Sequence, residues 1–362
     1  MSKTRLSVSV PVFRWMAFSA FLSMILIVLS GGAVRLTGSG LGCPDWPTCF
    51  HGKIAGSWNI HPFIEYTNRM ITGALIVITT AVFIAAFLRS PRRRDLLVLS
   101  GLLILGIFAD AVLGAFVVYT KLNPWLVSIH MLLSIAMVIV GAIFYHRSKY
   151  VYGPNSRSDI RSPHFLRIAR LLWTPFVVLL ITGTITTGSG PHAGSFQGQM
   201  RARRLPFAFQ NATWVHSLAA LLFIGLVVGL LISIWKTQAP EALQLGVRRL
   251  VIISLLQGLI GATQYVLHVP AVLVELHILG AVSLAIGVTQ FHLRQSAHDR
   301  EPLIPKKIIT VKWPTTSATF WWRRWGSNPR PQACKARALP TELHPLGESH
   351  PSKSLTSRAD DA

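Results

Sequence analysis

Acidic side chains are scarce in this chain: 13 Asp and Glu stand against 35 Lys and Arg in 362 residues, and charged types of both signs reach only 13%. So little charge cannot clothe a soluble globule, and apolar types make up 51% with a mean hydropathy of +0.48. An ordinary soluble fold is excluded, and the bilayer is the solvent this composition suits. Cysteine is nearly lacking too; three are too few for a disulfide scaffold. The net charge of +22 raises the question of nucleic acid, since clustered Lys and Arg release counterions from phosphates. Here the basic residues fall in short runs between apolar stretches, as cytoplasmic loops do, so no nucleic-acid partner is expected.

What is present is a series of apolar stretches long enough to cross a bilayer, about 20 residues each. They lie near 15–36, 64–88, 95–118, 124–146, 166–187, 211–235, 246–267 and 270–293, which makes eight. Lys3, Arg5 and Arg14 precede the first as in a signal peptide, but Gly38-Ser39-Gly40 is a poor cleavage site and seven spans follow, so it reads as a retained anchor. Basic residues concentrate in the N-terminus, at 89–94, 147–170 and 236–249, and from Arg294 onward, all on one side. Both termini are therefore expected in the cytoplasm of a multi-pass cell-membrane protein, with Cys43 and Cys49 outside, where they could pair. Residues 301–362 lack apolar periodicity and are expected to be disordered; the stretch from Trp325 to His344 reads like translation across a transfer-RNA gene.

The chain also repeats itself. Thr37-Gly-Ser-Gly40 recurs as Thr187-Gly-Ser-Gly190, and Gly114-Ala115 precedes His130 by the interval at which Gly261-Ala262 precedes His277. Each half holds an even number of spans, so the halves run in the same direction. The expected fold is an all-α integral membrane protein whose eight transmembrane helices form two tandem pseudo-symmetric four-helix bundles. The first covers 1–150 and the second 151–300, followed by the tail at 301–362.

Ionisable residues are costly in hydrocarbon, so the few within spans are the best guide to function. The acids are Glu65, Asp110 and Glu275, and the histidines are His130, His216 and His277, each a few residues inside its span from the outer side. A lone histidine there is often a packing residue. Three at matched depth in a duplicated bundle point instead to axial ligation of haem iron, with His216 and His277 facing each other across one core. Zinc would want further protein ligands. In the first half, the position matching His216 is Asn68. Glu65, Asn68 and Arg69 share a helical face, so Glu65 is either one side of an intrahelical Glu–Arg pair or a carboxylate aimed into a cavity to handle a proton. A Cys43–Cys49 disulfide would serve structure or redox chemistry. Gly31-Gly32, Thr182-Gly183 and the Gly-Ala pairs read as close helix contacts. His51, His61 and His192 read as loop residues, with His61 near enough to Glu65 to be a spare ligand or proton donor.

Taken together, Gly31-Gly-Ala-Val-Arg-Leu-Thr-Gly-Ser-Gly40, the outer cysteine pair, Ile64-Glu-Tyr-Thr-Asn-Arg69 and the three histidines resemble the haem A synthase family over residues 15–295. The short outer loops and the Asn-containing motif are similar to its actinobacterial branch. The resemblance implies eight spans in two related halves and oxidation of a methyl group of haem O to formyl. It implies haem b on His216 and His277, the substrate haem on His130, and Glu65 as catalytic carboxylate, with Asn68 and Arg69 in support. Cys43 and Cys49 match the family's outer pair. Asn68 departs from the histidine of many members, so the substrate iron would rest on His130 alone or take another donor such as His61. Haem O synthase, terminal oxidase assembly factors, and a second copy of the chain are the partners the resemblance leaves open. A diheme electron-transfer cytochrome and a proton-coupled transporter are the competing classes.

Overall fold

The structure, a computed structural model, describes residues 7–50, 59–150, 163–195, 202–239 and 241–295. The tail expected to be disordered and His51 lie outside them. Nine helices form among the described residues: α1 Val10–Leu36, α2 Ile60–Leu88, α3 Arg94–Tyr119, α4 Pro124–Ser148, α5 Pro163–Leu171, α6 Trp173–Ser189, α7 Phe209–Lys236, α8 Glu241–Val266 and α9 Ala271–Gln295. With α5 and α6 taken as one rod, eight helices are long and apolar enough to span a membrane, and no strand forms among the described residues.

Two details depart from the sequence reading. The span near 166–187 is broken at Leu172, between α5 and α6. Pro175 explains the break, because it has no N–H to offer the carbonyl of Leu171 and its ring crowds that turn. The second span begins at Ile60 rather than 64, so His61 sits in the first turn of α2 and not in a loop. Pro62 suits that turn, where a missing N–H costs nothing. Elsewhere the helix starts follow ordinary rules: Pro11 and Pro124 open α1 and α4, and the Asn123 side chain accepts from Trp125 N at 3.0 Å.

The packing order is the same in the two runs of helices. α1 packs on α2, α2 on α3 and α3 on α4; likewise α6 packs on α7, α7 on α8 and α8 on α9. One contact is unequal. α1 packs along α4, whereas α9 packs on α5 and, among the described residues, does not pack closely along α6. The two runs meet where α9 touches α1 and α4 and where α4 touches α6. Buried residues on α1 recur at Phe13, Ala17, Ala20, Met24 and Val28, one stripe of a helix whose other face keeps Trp15, Leu22 and Leu26 exposed. Exposed apolar residues on the other spans, Val77, Leu105 and Leu221 among them, give the whole assembly a surface fit for lipid.

The basic ends of α2 and α3 are tied by main-chain acceptors. Arg89 is fully buried, donates to the carbonyls of Pro91 at 2.8 Å and Tyr150 at 2.9 Å, and lies over the Phe13 ring. Burial first, and the neighbouring Arg93 charge second, pull its pKa down to about 10, so it stays cationic at neutral pH. Arg93 donates to both oxygens of Asp95 and to the carbonyls of Arg147 and Tyr150, each at 2.8 Å, which joins α3 to the end of α4. Arg93→Met leaves Asp95 and two carbonyls short of a donor and is expected to cost about 3 kcal/mol. A fall in the detergent unfolding midpoint, absent for the exposed Arg92→Met, checks this.

Candidate functional site

The C-terminal ends of α1 and α6 are stitched by the repeated Thr-Gly-Ser-Gly segments. Arg35 donates from Nε to the carbonyl of His192 at 2.8 Å and from an Nη to that of Thr187 at 2.9 Å, while Gly40 N donates to Gly194 O at 2.9 Å. Gly38 has φ +67°, the left-handed conformation that glycine adopts without strain, and it turns the chain off α1.

Below that seam, four helices each place a polar residue in their second or third turn, directly against a glycine of the preceding helix. A Cβ on Gly183 would lie 3.1 Å from Cε1 of His216, one on Gly261 3.2 Å from Cε1 of His277, and one on Gly114 3.6 Å from Cε1 of His130. The fourth pair is Gly31 with Asn68, whose Oδ1 is 4.0 Å from that point. The Gly pairs read from sequence as close contacts are thus beds for these side chains. A hydroxyl one residue before the glycine reaches the same group in two cases: Ser30 Oγ donates to Asn68 Oδ1 at 2.7 Å, and Thr182 Oγ1 is 3.1 Å from Nδ1 of His216.

His216 on α7 and His277 on α9 stand on either side of α8 with ring centroids 6.2 Å apart and planes at 79°. A metal held between two imidazoles by bonds of about 2 Å each sets the ring centres about 6 Å apart. The pair therefore has the separation for one shared metal. Among the described residues no three His, Cys, Asp or Glu side chains gather as a metal site, so two imidazoles are the donor set on offer. That set suits a metal whose remaining bonds come from its own macrocycle; Nδ1 of His277 is buried with no hydrogen-bond partner. His130 on α4 is over a third exposed and has Oδ1 of Asp110 at 2.8 Å.

Glu65 is buried and held on both oxygens. Arg69 donates to Oε1 at 2.5 Å, and the backbone N–H of Cys43 donates to Oε2 at 2.8 Å. The intrahelical Glu65–Arg69 pair forms, and it faces the loop closed by the Cys43–Cys49 disulfide. Arg69 also donates to the carbonyls of Asp45 and Thr48 in that loop. His61 is drawn to Ser39 Oγ at 3.0 Å. His192 bonds to the carbonyl of Val269 at 2.8 Å and so takes a structural part in the outer loops. Glu275 turns toward α1, where its Oε2 is buried against Gly32 with no hydrogen-bond partner. The Cys43 amide and the Asp110 contact are the parts sequence reasoning missed. The first left no trace in side-chain pattern, and the second was signalled only by an acid inside a span.

The sequence pattern of the family described as cytochrome oxidase assembly protein, COX15-CtaA, matches residues 14–57 and 55–289. The chain belongs to this family. The matched range holds every polar group named above. Among similar proteins are three named heme A synthase. That of Exiguobacterium sibiricum is 28% identical over 171 residues, covering 45% of this chain and 55% of that protein. That of Bacillus pumilus is 28% identical over 224 residues, covering 57% and 70%. That of Staphylococcus saprophyticus is 22% identical over 295 residues, covering 77% and 94%. The alignment spans little more than half of the first relative and nearly all of the third.

The glycine beds can be tested directly. Gly183→Leu and Gly261→Leu drive a side chain into His216 or His277; if this pair holds a haem, they are expected to lower its bis-imidazole absorbance in the purified protein about tenfold or more. Gly225→Leu, where a Cβ meets nothing within 4 Å, should leave that absorbance intact.

Proposed function

We propose that this chain is a haem A synthase: it oxidises a methyl group of haem O to a formyl group by successive hydroxylations within the membrane. The single observation that carries the reading is the His216–His277 pair at 6.2 Å, in a chain whose family and named relatives point the same way. The helices divide into two tandem bundles, 1–150 for the substrate and 151–300 for the resident cofactor. His216 and His277 hold haem b, which when bound supplies one-electron transfer to the other half. His130 holds the substrate haem. Asn68, engaged by Ser30, is no ordinary iron ligand, and His61 is occupied by Ser39, so His130 serves as the one protein donor there.

Glu65 is the catalytic carboxylate on this reading. Its burial excludes bulk water, and Arg69 and the Cys43 amide fix both oxygens, so the group can hold a proton or balance developing positive charge without reorganising. The Cys43–Cys49 loop keeps the amide in place, which gives the disulfide a supporting role. The product would feed terminal oxidase assembly, and haem O synthase would supply the substrate.

Glu65→Gln keeps the shape and one acceptor for Arg69 but removes the charge and sets an NH2 donor against the Cys43 N–H. It is expected to abolish haem A formation, by at least a hundredfold, while the haem b spectrum persists. Extracting haem from cells with and without each variant and resolving haems B, O and A by chromatography checks this. Unchanged haem A from the variant would remove Glu65 from the chemistry, and unchanged haem composition without the gene would favour an electron-transfer cytochrome. Both termini are placed in the cytoplasm. In a Cys334→Ser background, Phe207→Cys should accordingly react with an impermeant thiol reagent from outside the cell, and Glu241→Cys only after lysis.

A further inference from the structure

The three histidines on glycine beds differ in what meets their second ring nitrogen. For His216 the partner of Nδ1 is the Thr182 hydroxyl at 3.1 Å. For His277, Nδ1 is buried without a partner. For His130, Nδ1 lies 2.8 Å from Oδ1 of Asp110, and the other oxygen of that carboxyl accepts from Ser134 Oγ at 2.6 Å. Asp110 stands one helical turn before Gly114 on α3, and the residue one turn before Gly261 on α8 is Gln257. Gln257 does something else: its amide donates to the main-chain carbonyl of His277 at 2.7 Å, and its Oε1 has no partner. One position in the repeat thus carries a carboxyl aimed at a ring in one half and an amide aimed at the backbone in the other.

We propose that Asp110 is a positioning residue that makes His130 a stronger donor than His216 or His277. This rests on the reading of His130 as the ligand of the substrate haem. On ligation the Asp110 carboxylate takes the hydrogen bond of Nδ1–H, which fixes the tautomer and leaves Nε2 for iron. The two atoms are close but too poorly aligned to form a hydrogen bond, and neither has a partner elsewhere, so the ring must rotate on ligation to bring the N–H into line. Ser134 holds the carboxyl from behind, so it does not swing with the ring. A carboxylate on the far nitrogen puts electron density on the imidazole and, through it, on the metal, stabilising the ferric form. His216, with a hydroxyl, and His277, with nothing, lack that push. The two halves then differ in donor strength as well as in ligand count. A carboxyl inside α3 is otherwise an expense in hydrocarbon, with only Ser134 to offset it.

The test uses the full chain purified with haem b and titrated with haem O. Asp110→Asn should weaken haem O binding about 10- to 100-fold, raise the midpoint potential of the added haem, and leave the haem b spectrum and potential where they were. Asp110→Glu should recover part of both effects. Ser134→Ala should shift the same potential in the same direction but less, and it decides the matter if Asp110→Asn fails to assemble. Unchanged affinity and potential in both Asp110→Asn and Ser134→Ala would overturn the proposal. His130→Ala separates this from the underlying reading: if it leaves haem O binding untouched, His130 is not the ligand. If it abolishes binding while the Asp110 and Ser134 variants change nothing, the ligand stands and only the role of Asp110 falls.

Discussion

Close approach of neighbouring helices at four glycines is the constraint on which the rest depends. Inside a bilayer, burying apolar surface gives no drive for helices to associate, so side-chain fit must hold them and polar groups must find room within that fit. Gly183 and Gly261 each leave out a Cβ that would crowd His216 or His277, while Gly31 and Gly114 lie in ordinary van der Waals contact with Asn68 and His130. Helix α6 against α7 and α8 against α9 therefore set both depth and spacing of the facing imidazoles. The two rings meet edge to face with centroids 6.2 Å apart, a separation set by that helix packing.

Much of this was legible in the sequence because it rests on short-range pattern. Length and hydropathy locate spans, and the interval from Gly to His is a helix-to-helix distance written along the chain. The break at Leu172 was masked by hydropathy, which does not register what Pro175 does to the carbonyl one turn back. His61 was misread as a loop residue because Pro62 looks like a boundary, although proline is tolerated in a first turn. The clamp on Glu65 was beyond reach for a different reason. Its second partner is the backbone N–H of Cys43, and every residue has one, so no letter marks it.

The two halves use one packing order for unlike purposes. Where α1 lies along α4, Glu65 is bonded by Arg69, Asn68 by Ser30 and one oxygen of Asp110 by Ser134, while Asp110 Oδ1 and His130 Nδ1 have no hydrogen bond. Where α9 keeps to α5, Nδ1 of His216 meets the Thr182 hydroxyl, while Nδ1 of His277 and Oε1 of Gln257 go without partners. Satisfied groups fix a geometry, whereas each unsatisfied one costs free energy until it is paired.

The outer loop between Cys43 and Cys49 is gripped by its main chain: Arg69 takes the carbonyls of Asp45 and Thr48, Tyr119 that of Trp46, and Glu65 the amide of Cys43. Such a grip is blind to spelling. A side-chain change between the cysteines leaves these particular main-chain handles in place, so what Glu65 and Arg69 hold is the course of the loop.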